Sequence, residues 1–353
     1  MLVKQAKAIA GQWVKENAST MSGFQGAFFH GSTNWLADSA ELAPTSDLDV
    51  MLVFDEPPPV KLGKFIYQDL LLEISYLAAA EVATPAQVLG VAHMAGSFKE
   101  PSIILDPTGH LTKIQKAVAQ EYAQRRWVIK RCQFSREKII SGLQSLDATR
   151  PWYGNIMGWV FATGITTHVL LVAGLKNPTV RKRYVAAREL LAEYDRLDFH
   201  ERLLALLGCA QMSAEQVAAH VPALAQAFDA AAALVKTPIL FASDISPAAR
   251  SISIDGALEQ IAHGLHREAI FWMVVTYTRC LHFLTQDAPA ELLARHTPGF
   301  DALLADLGIN GFADLVRRRE RVMAFLPELW AVAAEIIDAN PNIQIAEDAT
   351  DAQ

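Results

Sequence analysis

Asp47 and Asp49, in Ser46-Asp47-Leu48-Asp49-Val50, are the residues best suited to chemistry in this chain. Side chains two apart on a β-strand point to one face, so an extended Asp-x-Asp projects both carboxylates together. Like charges that close raise each other's pKa unless a cation lies between them. Mg²⁺ is such a cation, taking carboxylates together with substrate phosphate oxygens. The pair therefore predicts metal-assisted chemistry on a phosphate. Upstream, Gly26-Ala27-Phe28-Phe29-His30 reads as a short buried strand running into Gly31-Ser32-Thr33. Glycine lets backbone approach a ligand closely. A Gly-Ser turn that opens a helix can aim N–H groups and a hydroxyl at an anion, with Ser32 or Thr33 as the cap.

Several elements must position these groups. The aspartate strand continues through Val50-Met51-Leu52-Val53-Phe54 and stops at Asp55-Glu56-Pro57-Pro58-Pro59, where proline cannot extend a ladder. Phe65 to Leu77 reads as one long strand. Glu73 sits inside its apolar run, where a bare charge is costly to bury, and Asp69 shares its parity. An amphipathic helix runs from the N-terminus to about Glu16. Ser102-Ile103-Ile104-Leu105 is the last strand, and Asp106 belongs to the turn after it.

Phe29-His30-Gly31-Ser32, a gap, then Ser46-Asp47-Leu48-Asp49-Val50 resembles the signature of the polymerase-beta-type nucleotidyltransferases, which include aminoglycoside adenylyltransferases and minimal nucleotidyltransferases. The resemblance covers roughly residues 20–110. Residues 33–46 separate the two halves by more than is usual in the family. The resemblance implies a third carboxylate on a later apolar strand, which favours Glu73 over Asp69. It also implies Mg²⁺, two ions, on Asp47, Asp49 and Glu73, with Glu73 as ligand or general base. Gly31, Ser32 and Thr33 would hold the phosphates of a nucleoside triphosphate, by family habit ATP. Separately, Arg125-Arg126 and Lys130-Arg131 lie four to six apart on a helix, so Arg126 and Lys130 either reach triphosphate oxygens across the cleft or belong to a solvated helix face. An acceptor hydroxyl would attack the α-phosphate and release pyrophosphate.

The 353 residues suffice for two cores. Hydrophobic content of 52% and a charged fraction of 20% describe a globular chain rather than a disordered one. A net charge of −7 argues against nucleic acid as a partner and towards a small molecule or a protein as acceptor. Cys132, Cys209 and Cys280 form neither a disulfide framework nor a zinc spacing, which suits a reducing cytoplasm. Ile156 to Leu175 lacks formal charge and has the length of a membrane span, but its glycines, threonines and His168 favour a buried helix.

The expected architecture is α+β. A nucleotidyltransferase-type mixed sheet with flanking helices occupies residues 1–110, a larger all-helical substrate- or partner-binding domain residues 111–340, and a frayed acidic tail residues 341–353. Helices are expected over Leu111–Leu146, Tyr153–Leu175, Thr179–Tyr194 behind Pro178, within Phe199–Val235, over 255–284, 299–307 and 311–338. Arg181-Lys182-Arg183 would sit at a helix start, where cations oppose the dipole and invite an anion. Glu259, His263 and His266 fall on one side of a helix and are read as structural. Trp152, Trp159, Trp272 and Trp330 are read as core aromatics. His30 flanks the phosphate turn. The leading expectation is transfer of a nucleoside monophosphate to a small molecule, without membrane association and with a homodimer left open. A protein acceptor and a degenerate nucleotide- or partner-binding protein are the rivals.

Overall fold

The computed structural model describes residues 1–345. Five strands, β1 (Phe24–His30), β2 (Leu48–Phe54), β3 (Gly63–Tyr67), β4 (Leu70–Ala78) and β5 (Ile103–Leu105), make one mixed sheet in the order β3-β4-β2-β1-β5. Strand alternation sorts its two faces. Leu48, Val50, Leu52 and Phe54 face helix α1 (Val3–Trp13) and bury Ala6, Ala10 and Trp13. Phe28, Val53 and Leu77 face the opposite layer. There α2 (Pro85–Gly90), α3 (Ala92–Ala95) and α4 (His110–Glu121) contribute Val88, Leu89, Met94, Leu111, Ile114 and Val118. Helix α4 thus belongs to the sheet's own core, so the sheet-based half reaches beyond residue 110.

The expected long strand through Phe65–Leu77 is a hairpin. Gln68 and Asp69 both take positive φ, 48° and 59°, the two-residue geometry that matches strand twist. Asp69 is therefore a turn residue, and Glu73 stands alone as the acid within β4. A Gln-Asp pair lacks the glycine that usually announces such a turn.

The helical half comprises α5 (Arg125–Gln144), α6 (Trp152–Ala173), α7 (Arg183–Glu193), α8 (Leu197–Leu207), α9 (Ala214–Ala232), α10 (Gly256–Ala262), α11 (His266–Asp287), α12 (Ala290–Asp306) and α13 (Phe312–Ala339). Helix α6 packs against α5, α7, α11 and α13. It is long and apolar enough to cross a bilayer, yet 72% of its most apolar window is buried within the protein. Apolar side chains all round a helix are what a central core position requires.

Four expected helices differ, one of them 299–307, which begins earlier, at Ala290, and runs through Pro298 as α12. The stretch 111–146 breaks between α4 and α5, where Gln344 donates its N–H to Ala123 O (2.9 Å) and Arg125 donates to Gln344 O (2.8 Å). The residues after α13 are therefore tied back as far as Gln344; the rest of the expected frayed acidic tail, 346–353, lies outside the described residues. Residues 177–182 form a loop, and α7 starts only at Arg183. The stretch 255–284 breaks at His263–Leu265, with Gly264 at φ 75°. His263 Nδ1 meets Glu259 O at 2.7 Å and His266 Nε2 meets Met212 O at 3.1 Å, so neither histidine joins Glu259 in a ligand set.

Two connections clamp the halves together. Thr45, in the long segment between β1 and β2, donates its hydroxyl to Glu259 of α10 at 2.7 Å. Its carbonyl accepts from Arg181 Nη2 at 2.9 Å. Farther up the same segment, Val3 N–H donates to Ala40 O at 2.9 Å and ties the loop to α1.

Candidate active site

Register brings four chemically distinct side chains into one row across the sheet. Lys64 of β3 lies opposite Glu73 of β4, Glu73 opposite Asp49 of β2, and Asp49 opposite His30 of β1. Residues directly opposite share a face, so all four emerge together. Asp47, just before β2, joins them. Carboxylate oxygens of Asp47, Asp49 and Glu73 lie within 4.8 Å of one another.

Gly31 explains its own identity. Its φ is 71°, and a Cβ there would sit 1.9 Å from Asp49 Oδ2. Only glycine accommodates both the left-handed backbone and this approach. Ser32 follows into the cleft, exposed. The expected helix N-terminus is instead a single 3₁₀ turn, Ser32–Trp35. Thr33 turns inward, 1% exposed, and does not line the cleft. Asn34 Nδ2 donates to Ser97 O at 3.1 Å and His30 Nδ1 meets Ser97 Oγ at 2.6 Å, pinning the turn from behind.

Arg126 and Lys130 lie elsewhere. Arg126 pairs with Glu121 at 2.7 Å on the surface, and Lys130 covers the Trp127 ring at 5.1 Å. Neither lines the cleft. Its cations come from residues without a local sequence signal. Lys64 Nζ contacts Glu73 Oε2, Asp47 Oδ2 (3.0 Å) and Asp244 Oδ1 (2.8 Å). Lys61 Nζ contacts Glu73 Oε1. Asp244, from the connector before α10, also accepts from Arg279 of α11 at 3.0 Å. Of the basic residues in the Arg125–Arg131 and Arg181–Arg183 stretches, Arg181 and Lys182 reach the cleft. Asp106 spends its carboxylate on Thr112 N (2.8 Å) and Thr112 Oγ1 (2.7 Å), as turn chemistry predicts.

The electrostatics follow from this packing. Burial alone would push the Lys64 ammonium down, but Asp47, Asp244, Glu73 and Asp49 raise it well above the ordinary lysine value. Burial would likewise raise Glu73, yet Lys64 and Lys61 outweigh it and hold the carboxyl down to about 2. Asp49 goes the other way: burial, then Asp47 and Glu73, push it well above the usual carboxylate range. Among the described residues Asp49 has no ammonium or guanidinium at ion-pair distance. The cleft lining as a whole is balanced, with Glu41, Asp47, Asp49, Glu73 and Asp244 against Lys61, Lys64, Arg181, Lys182 and Arg279, so the unmet charge is local to Asp49. A divalent cation is the charge that would let Asp49 ionise, and its hard oxygen donors fit Mg²⁺.

The row opens into a cleft of about 740 Å³ between sheet and helices. Its far wall carries Met157, Phe161, Phe241, Ile252, Trp272 and Arg279. The Arg279 guanidinium lies 4.9 Å from the Trp272 ring and 5.3 Å from Phe241. Of the four tryptophans read as core, Trp159 is fully buried, Trp152 and Trp330 pack half-buried against that core, and Trp272 lines the cleft. Compared with protein-family models and with curated proteins, the chain matches none.

Proposed function

We propose that this protein is a Mg²⁺-dependent nucleotidyltransferase that moves a nucleoside monophosphate, AMP from ATP by the habit of the family it resembles, to a hydroxyl of a small molecule. The observation that carries this reading is the convergence of Asp47, Asp49 and Glu73 within 4.8 Å of one another, beside a glycine whose approach to Asp49 excludes any side chain. Asp47 and Asp49 are the residues to hold the cation, which would supply charge neutralisation on the transferring phosphate. Gly31 and Ser32 face the phosphates. The acceptor hydroxyl attacks the α-phosphorus, the bond to the pyrophosphate oxygen breaks, and the hydroxyl proton goes to solvent. Such a transition state is loose, so orientation and charge carry the rate. Lys64 and Lys61 hold the Glu73 carboxyl down to about 2, which supports Glu73 as a charge partner over Glu73 as general base.

The far wall supports a small acceptor. It is concave and apolar, with a few convergent polar groups, as small-molecule sites are. Three buried thiols without a partner, Cys132, Cys209 and Cys280, support a reducing cytoplasm. The test incubates the protein with Mg²⁺, each of four nucleoside triphosphates and a panel of hydroxylated compounds, and reads pyrophosphate. Release that needs one such compound supports the reading. Transfer of α-phosphate label to a protein band instead moves the acceptor to a protein. No triphosphate binding with metal leaves only a degenerate fold.

A further inference from the structure

We infer that the cleft takes a single divalent cation, on Asp47 and Asp49, and that the Lys64 ammonium is the fixed second positive charge of the site, with Glu73 anchoring the lysine rather than the ion. This rests on the metal-dependent reading above and sharpens it, replacing the two ions expected from the resemblance.

Both oxygens of Glu73 are already engaged, Oε2 by Lys64 and Oε1 by Lys61. Lys64 does not reach in from a flexible loop. It stands on β3 directly opposite Glu73, so the ladder itself delivers its side chain to the acid row. Its ammonium then touches Asp47 Oδ2 at 3.0 Å and Asp244 Oδ1 at 2.8 Å. With three carboxylates around it and only 7% of its side chain exposed, Lys64 fills the space among Asp47, Glu73 and Asp244. A dication bridging Asp47 and Glu73 would lie against this ammonium, and like charges in a half-buried site repel strongly.

The other side of the row is different. Asp49 has no cationic partner among the described residues, and the contact of Lys64 with Asp47 runs to Oδ2 at 3.0 Å. Asp49 Oδ2 faces the bare backbone of Gly31, next to the exposed Ser32. The carboxylate without a cation, the glycine turn and the route for a phosphate therefore lie on the β1–β2 side, and the built-in ammonium on the β3–β4 side. Asp244 adds a second role for Lys64. Through it the lysine is joined to Arg279, so the fixed charge is held from both halves of the molecule.

The experiment titrates Mn²⁺ into the full chain with α,β-methylene-ATP, counting bound ions by the electron paramagnetic resonance signal of free Mn²⁺ and by calorimetry. One ion per chain is expected. Glu73→Gln should keep that one ion with an affinity within about threefold, and Asp49→Asn should weaken it more than tenfold. Lys64→Met, checked for fold by circular dichroism, should admit a second ion. Two ions in the unmodified chain, or a tenfold loss in Glu73→Gln, overturn the inference while leaving the metal reading intact. Binding of no Mn²⁺ by the unmodified chain, with or without the nucleotide analogue, removes the metal reading itself.

Discussion

The protein buries charge in two contrasting ways. In the body of the molecule, Arg131 and Arg318 are 1% and 8% exposed and meet no carboxylate among the described residues. Arg131 donates to Leu89 O (3.2 Å) and Tyr122 O (2.7 Å), carbonyls at the ends of α2 and α4. Arg318 donates to Leu206 O (3.1 Å), at the end of α8, and to Leu307 O, just past α12. Each arginine thus caps two helix C-termini, where carbonyls lack partners and the dipole favours a cation. Burial pushes both guanidiniums down. In the cleft, Lys64 is driven up by carboxylates, and Asp49 is left without a cation. The first arrangement is met by backbone carbonyls through both terminal nitrogens of each guanidinium. The second leaves one carboxyl without a cation, and that difference is what the proposed metal site rests on.

Substitutions can break or sharpen this contrast. The largest effect is expected from Asp49→Asn: pyrophosphate release should fall on the order of 10³-fold, while the melting temperature does not drop, because a repelled carboxylate has gone. A fall in melting temperature with activity retained would make Asp49 structural and end the contrast. Arg318→Met and Arg131→Met should each destabilise by about 3 kcal/mol, read as a shifted urea midpoint, since buried carbonyls lose charged donors. Gly31→Ala should cost about 1–2 kcal/mol in backbone strain, and it should weaken Mn²⁺ binding by displacing Asp49. A neutral effect on Mn²⁺ would mean that the glycine serves the backbone alone.

Proton linkage divides the regions by pH. Burial, with Arg183 nearby, holds His168 neutral, its pKa well below the ordinary 6.5, and His168 Nε2 meets Thr179 O of the cleft loop at 2.9 Å. The unfolded chain binds the extra proton, so this stability is present above about pH 6.5 and is lost on acidification below it. The slope is about 1.4 kcal/mol per pH unit for one proton. His168→Gln should remove that share from a urea-midpoint series between pH 6.5 and 5. Glu73 contributes later. Its folded pKa, down at about 2 against 4.5 unfolded, gives stability that is lost only as pH falls below 4.5. The smallest effect is expected from Arg126→Ala and Lys130→Ala, which should change pyrophosphate release less than twofold, because one ion pair is solvent-exposed and the other side chain only covers Trp127.

The sequence carries the acid row unevenly. Asp47, Asp49, Gly31 and Glu73 are readable because a strand's parity and a glycine's freedom are local properties. The mixed α+β architecture and the buried α6 are likewise written in local patterns. Lys64 could have been found. It and Glu73 are equally far from the Gln68–Asp69 turn, so recognising that hairpin would have paired them, but the turn lacks an Asn-Gly or Asp-Gly signal. Asp244 and Arg279 are illegible, since only the packing of a distant connector and α11 against the sheet brings them in. Arg126 and Lys130 were drawn in by charge alone, and helix phase turns them to solvent.

Thr45 gives the segment between the glycine turn and Asp47 a mechanical meaning. Bonded to Glu259 and to Arg181, it anchors the chain to the helical half only two residues before the first aspartate. Any shift of that half relative to the sheet bears on the start of β2 through these two bonds. The segment between the glycine turn and Asp47 is therefore tied to the helical half just before the aspartates begin, so the position of Asp47 depends on both halves of the molecule.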